Sequence, residues 1–547
     1  MSSTDSGTGS NRSIRSWRSS FLTLRDEALM PHPPIVVLCL LRDLIAPPHS
    51  LDVLVSAAPH LPYHEVTSDL MLVMELVSSV LDCPEVNDIF VHVSRLIHNI
   101  ISKGCFEVNA SSFAITLDFL NNMVTCLLGE VDAREVFLRD LIGMQSLVEI
   151  MGILRFFVKV YERKISSLER TRLAKLLLDI ISLFPADLLM LSHSDSTYWN
   201  PSDVGNKNSK SHILLDIQLF TFVTISDTFT KMGSTISEDI WKYALDVMRK
   251  VMDIIAFKNS LLEGHAISRF YTVLLHCLHL VLSNPKGSIS EHVAGFLAAL
   301  QMFFMYGLPC RSFLRPAISN LKNEKSSSSS LKSELINTTK IMDVPYRPPH
   351  LRKKEKCSSH SPISQDGAFI SGFTSSDSEQ SDSDGFSYDK DYFRSSKARV
   401  AAIICIQDIC KADPKSLASL WTMVLPTSEV LQPRKSQATV MTTLLFDHVM
   451  KARIASVSTL ISILDGHSSV FLQVAEYKES AKCGSFTTLS SSLGQILMQL
   501  HRGLLYLVQY EGNSGLLPSL FKVLTLVVSV TPYVLLPYQN FINIDRS

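Results

Sequence analysis

His276, Cys277 and His279 stand together in the apolar stretch Tyr271–Leu282 and are the nearest approach to a metal-ligand set in this chain. Two histidines three residues apart and one thiol offer at most three ligands, and zinc sites are closed by a fourth from elsewhere. No such partner is visible, so packing inside a helix or groove accounts for the cluster. His60 and His64, separated by Leu-Pro-Tyr, read as part of a helix-entry turn for the same reason. The sequence holds no Gly-x-x-x-x-Gly-Lys-Ser/Thr loop, no Gly-x-Gly-x-x-Gly, no Gly-x-Ser-x-Gly and no His-Glu-x-x-His, the patterns that place backbone amides on phosphate or a nucleophile on a sharp turn. No catalytic, cofactor or metal residue is therefore assigned, and the chain reads as non-enzymatic.

Two other groups carry chemistry of a regulatory or binding kind. Thr374, Ser376 and Ser381 each have an acidic residue three positions on, the spacing read by an acidophilic kinase through its basic pocket. A phosphate on Ser381 would place new charge three residues after Ser378, extending the series. Tyr346, Arg347, Pro348, Pro349, His350, Leu351 and Arg352 form a proline-stiffened basic string continued by Lys353 and Lys354. Its first reading is a linear protein-binding motif and its second a contact to RNA phosphate. The Pro-Pro-His-Leu-Arg core is similar to strings in the tails of some DEAD-box RNA helicases, over too few residues to carry a function across.

The elements that must support these groups are helices. Lys397-Ala398-Arg399 returns as Lys451-Ala452-Arg453, 54 residues later. Each copy continues with small residues three and six positions after the arginine and aliphatics at seven and ten: Arg399, Ala402, Cys405, Ile406, Ile409, then Arg453, Ser456, Thr459, Leu460, Ile463. That spacing predicts a helix whose small side chains admit a neighbour closely while the aliphatics fill the groove. The pattern resembles the second helix of a HEAT repeat; the step exceeds the ~40 to 47 residues of such a unit, and an insertion at Pro426–Gln437 explains the excess.

Glycine makes up 21 of 547 residues, well under the usual share, and sustained apolar and polar alternation is absent, so the chain reads as all-α. The expected division is an N-terminal tail and first helix (1–32), a degenerate helical block (33–322), a Ser-rich basic then acidic disordered linker (323–396) tethering it to a second helical block (397–540), and a short tail (541–547). Net charge is −1, which argues against a global field for nucleic acid or anionic membrane. Cys39, Cys83, Cys126 and Cys277 lie in apolar stretches without metal spacing and read as small reduced core residues. The longest apolar runs, Ile35–Leu41 and Val523–Pro537, fall short of a span, so no membrane insertion is expected and the cytoplasm or nucleus is the expected location.

Val344–Arg352, then Ser376-Asp377-Ser378-Glu379, then Arg399-Val400-Ala401-Ala402 and Lys411–Leu417, in that order, resemble the HEAT repeat-containing protein six family. The resemblance covers about Pro345 to Tyr538 and includes that family's domain of unknown function. It implies a right-handed α-solenoid of HEAT or armadillo type, no catalytic activity, and a role as a scaffold or adapter for other proteins. Members of the family continue with further repeats beyond the point reached at Ile544-Asp545-Arg546-Ser547. An uncapped C-terminal end, with the apolar helix Leu516–Val530 near it, is accordingly expected to favour self-association.

Overall fold

The structure is a computed structural model that describes residues 6–30, 33–45, 50–81, 87–128, 141–160, 166–183, 204–257, 261, 265–308, 387–432, 437–465 and 489–531. The described residues form α-helices, short 3-10 turns and connections, with no strand among them. The helices are α1 (Ser6–Ala28), α2 (Pro34–Ile45), α3 (Ser50–Ala57), α4 (Tyr63–Ser79), α5 (Asn87–Ser102), α6 (Ala110–Leu128), α7 (Leu141–Val160), α8 (Ser167–Leu183), α9 (Val204–Met232), α10 (Glu238–Phe257), α11 (His265–Leu282) and α12 (Ser290–Gln301). After a 3-10 turn at Met302–Met305 follow α13 (Ser387–Ala412), α14 (Pro414–Ser419), α15 (Trp421–Val424), α16 (Val440–Phe446), α17 (Met450–Leu464), α18 (Leu489–Tyr510) and α19 (Leu517–Val530).

Packing follows sequence order in two rows. One row runs α1, α3, α5, α7, α9, α11, α13, α17, α19, each helix packed on the next named; α2, α4, α6, α8, α10 and α12 pack in the same fashion beside it. The physical cause is a burial pattern repeated helix after helix. In α13 the buried positions include Ala398, Arg399, Ala402, Ile403, Cys405, Ile406, Ile409 and Cys410. The same eight-position register is buried in α17 starting at Ala452, in α11 at Phe270, in α9 at Ile217, in α7 at Ser146 and in α5 at Ile89. It comprises two stripes at helical spacing, so each helix presents one apolar edge to the helix before it and another to the helix after it.

Side-chain bonds mark which edge faces which neighbour. Cys277 of α11 donates to the Phe222 carbonyl of α9 at 3.1 Å, Cys405 of α13 to the Leu275 carbonyl of α11 at 3.2 Å, and Thr459 of α17 to the Ile403 carbonyl of α13 at 3.2 Å. All three donors occupy one position of the register and all three acceptors another. Small donors are required there because only a close helix approach brings a thiol or hydroxyl to a carbonyl already used within its own helix.

Several sequence expectations change. The two helical blocks are not held apart on a tether: α13 packs directly on α11 and α12, and the 3-10 turn 302–305 packs on α13 as well. Gly307, at φ +69°, lies so close to α13 that a Cβ there would fall 2.2 Å from the Ser395 hydroxyl. Residues 309–386 are thus inserted between helices that touch. The helix also opens at Ser387, ten residues before the expected boundary, and Ser395 and Ser396 are buried in it. The polar composition of Ser387–Ser396 hides the opening of a helix whose later residues, from Ser395 on, pack against neighbouring elements. At the other end α1 belongs to the row: it packs on α3, and Trp17, Phe21 and Leu24 form its buried apolar stripe. The expected insertion at Pro426–Gln437 falls between α15 and α16, where Val430 is buried and its N–H is held by Gln499 at 2.9 Å.

Among the described residues two helices are long and apolar enough to cross a membrane, Ala110–Leu128 and Ile213–Thr235. Scanning for uninterrupted apolar runs passes over both, since Thr, Asn and Asp punctuate them. In the structure they lie in the two rows, with 56% and 67% of the respective stretches buried. Cys39, expected in the core, is exposed, Cys126 is half-buried and Cys277 is buried; Cys83 lies outside the described residues.

Candidate functional site

The repeat residues singled out by sequence are buried, and the two arginines do equivalent work. Arg399 holds Asp447 through two parallel bonds, Nε to Oδ2 at 2.7 Å and Nη2 to Oδ1 at 3.0 Å, with both side chains fully buried. Its Nη1 donates to the Tyr306 carbonyl at 2.7 Å. Arg453 pairs with Glu511, also buried, and its Nε donates to the Leu444 carbonyl at 2.9 Å. Each guanidinium therefore ties its helix to a carboxylate just ahead of the next helix of the row and to the backbone of a preceding segment. The planar fork suits this double duty, which an ammonium could not perform. Ala402, Ile406, Ile409, Leu460 and Ile463 are buried between helices. These are architectural residues that set helix spacing, and none reaches solvent.

His276 and His279 stack with ring centroids 6.1 Å apart on α11. His279 Nδ1 bonds Asp408 of α13 at 2.6 Å, joining the two helices at the surface. Cys277 points the other way, into the row, and burial pushes its thiol up. Among the described residues no three His, Cys, Asp or Glu side chains converge as a metal site. His60 ends a 3-10 turn and His64 lies in the first turn of α4, both exposed. Thr374, Ser376, Ser378 and Ser381, and the string Tyr346, Arg347, Pro348, Pro349, His350, Leu351 and Arg352, lie outside the described residues.

The surface left between the buried edges is the part of each row helix that can meet a partner. On α13 it is Lys397, Val400, Ile404, Gln407 and Lys411, and on α17 it is Lys451, Ile454, Ser458, Ile461 and Asp465. Gln407 Nε2 lies 3.0 Å from both Ser458 and Ser462 hydroxyls, so the two stripes meet edge to edge as one face. The stripe on α11 continues it through Thr272, His276 and His279. Ile454 is 49% exposed at its centre, an aliphatic side chain in a setting of lysines and small polar groups. Sequence reading found the buried side of these helices and missed this side, although it follows from the same period.

Burial and the neighbouring His279 depress the His276 pKa to about 4, and burial lowers that of His501 on α18. A histidine with a folded-state pKa below its unfolded value takes up its proton more readily when unfolded. Stability is thus full above pH ~6.5 and falls as the solution is acidified toward pH 4. Thermal unfolding of the His276→Leu chain is expected to show a shallower decline over this interval than the unsubstituted chain, and equal slopes would contradict the assignment.

Residues 397–542 match a protein family described as a domain of unknown function (DUF4042). The match opens inside α13 and takes in α14 to α19 with the two arginine ties. No solved structure matches the chain.

Proposed function

We propose that the chain is a non-enzymatic scaffold or adapter that binds other proteins along the outward face of its helix row. In this reading the rows form a right-handed α-solenoid of HEAT or armadillo type and the chain is a member of the HEAT repeat-containing protein six family. The observation that carries the proposal is the recurrence of one eight-position burial register in six successive row helices. A register of that kind devotes two edges of every helix to its neighbours and leaves a continuous third side, Gln407 with Ser458 and Ser462 included, for a ligand. The family match at residues 397–542 lends support to the resemblance without assigning a role.

The helices of membrane-spanning length are read as members of the rows, because Thr116, Thr221 and Thr224 are buried among neighbouring helices with their hydroxyls bonded within their own helices. The location proposed with this reading is the cytoplasm, the nucleus or both. Residues 309–386, carrying Thr374, Ser376, Ser378 and Ser381, act in this proposal as a phosphorylatable insertion on the body, since the helices on either side of it are in contact.

Proximity labelling in cells, with the full chain and with a variant lacking 326–386, tests the reading. The deletion stops short of Ser387 so that α13 stays whole. A defined set of protein neighbours that survives the deletion is the expected result. Enrichment of crosslinked RNA that disappears with the deletion would instead place the Tyr346–Lys354 string first, as a phosphate-binding element.

A further inference from the structure

One position on the outward side of the row carries the same charge on three successive helices. It is the residue just ahead of the burial register: Arg269 on α11, Lys397 on α13 and Lys451 on α17. The alignment is fixed by the bonds between the helices, since Cys405 meets the Leu275 carbonyl and Thr459 the Ile403 carbonyl at matching points of the register. On α9 the same position is Asp216, so the sign reverses there and the basic set is confined to α11, α13 and α17. Lys397 and Lys451 are exposed. Among the described residues no carboxylate pairs with Lys397 or Arg269, and the Arg269 Nε is shielded from solvent without a hydrogen-bond partner. Cations that the protein leaves without counter-charges attract anionic groups from outside.

At the next outward position the side chains change character. Thr272, Val400 and Ile454 follow the three cations, and Ile454 is 49% exposed. A line of cations thus borders a line of small and aliphatic side chains. The stripes of α13 and α17 hold no aromatic side chain on which the bases of a single-stranded nucleic acid could stack. Positive charge beside aliphatic surface is complementary to an acidic peptide.

The spacing of the cations selects a peptide conformation. Packed helices stand ~8–10 Å apart, and the three cations repeat at that interval across the row. A polyproline II chain has three residues per turn and rises ~3.1 Å per residue, which returns a side chain to the same side every ~9.3 Å. A β-strand returns one every second residue, at ~6.7 Å, and falls out of step.

We propose that this line binds a polyproline II segment of a partner protein with Asp or Glu at every third position, one acid each on Arg269, Lys397 and Lys451. Residues between the acids lie over Val400 and Ile454, where small or apolar side chains fit. Under the scaffold reading, on which this assignment rests, the segment belongs to the proteins that the chain gathers.

Fluorescence anisotropy of a labelled peptide of four Glu-Pro-Ala triplets, titrated with the full chain at low salt, is the test. Saturable binding that weakens as salt is raised is expected. A peptide of the same composition with shuffled glutamate spacing is expected to bind about tenfold or more weakly. A Lys397→Glu/Lys451→Glu chain with unchanged helical circular dichroism should also lose about tenfold or more, because like charges then face the ligand. Should that variant lose helicity, Lys397→Ala alone is expected to lose about threefold. No binding of the triplet peptide, equal binding of the shuffled one, or indifference to the lysine substitutions would overturn the proposal. Tighter binding of an oligouridylate, or of a helical peptide with glutamates seven apart, would overturn it as well. Protein neighbours that persist in proximity labelling would leave the scaffold reading standing after such a result, so the two can fail separately.

Discussion

Replacing Arg399 by methionine is expected to destabilise the chain by about 3–5 kcal/mol, the cost of breaking a buried bidentate ion pair by removing one partner. Asp447 is fully buried, and its bonds include the two from Arg399 and one from the Val449 N–H at 2.9 Å. The Tyr306 carbonyl loses a donor at the same time. Urea unfolding followed by circular dichroism would show the loss. An Arg399→Met/Asp447→Leu chain is expected to regain most of it, since a buried ion pair is often no more stable than an apolar pair of similar volume. A single substitution within about 1 kcal/mol of the unsubstituted chain would mean that water reaches Asp447.

Severing the chain between helices that touch should leave them together. Expressed as two polypeptides, 1–340 and 341–547, the halves are expected to assemble and co-purify at micromolar concentration, with the helical signal of the intact protein. The contact to be re-formed includes α11 on α13, α12 on α13, the His279–Asp408 bond, the Cys405 thiol on the Leu275 carbonyl and the Arg399 bond to Tyr306. Introducing Arg399→Met into the second half should reduce the yield of complex severalfold, because that side chain crosses the division. Halves that fold separately and elute apart would restore the picture of two blocks on a tether.

Much of this architecture could be read from sequence, and the reasons for success and failure are physical. Arg399 and Arg453 announced a repeat because a buried guanidinium leaves few alternatives at its position, and the aliphatics at Ile406 and Leu460 followed from helical period. Their carboxylate partners could not be read: Asp447 and Glu511 sit 48 and 58 residues away, and nothing local distinguishes them from solvated acids. The earlier row helices share the burial register without sharing residues. The position of Arg399 is held by Phe90 in α5, Leu147 in α7, Gln218 in α9 and Tyr271 in α11. Any side chain that fills the space will serve, so identity drifts where geometry persists. The start of α13 failed for the opposite reason, since Ser387–Ser396 is polar in composition and helical by context. The outward stripe, where a partner would bind, carries no constraint from the core, and its side chains announce only that they face water.

The donor that each of α11, α13 and α17 extends to a carbonyl of its predecessor also has a mechanical side. A row of this kind can bend only by small rotations at its junctions, each resisted by such polar contacts and a strip of aliphatic packing. Compliance of this kind adds along the length, so a load taken up at α17 is felt at α9 through a series of weak hinges. In the scaffold reading proposed above, a body built in this way would yield to the shape of a bound partner, as a leaf spring does.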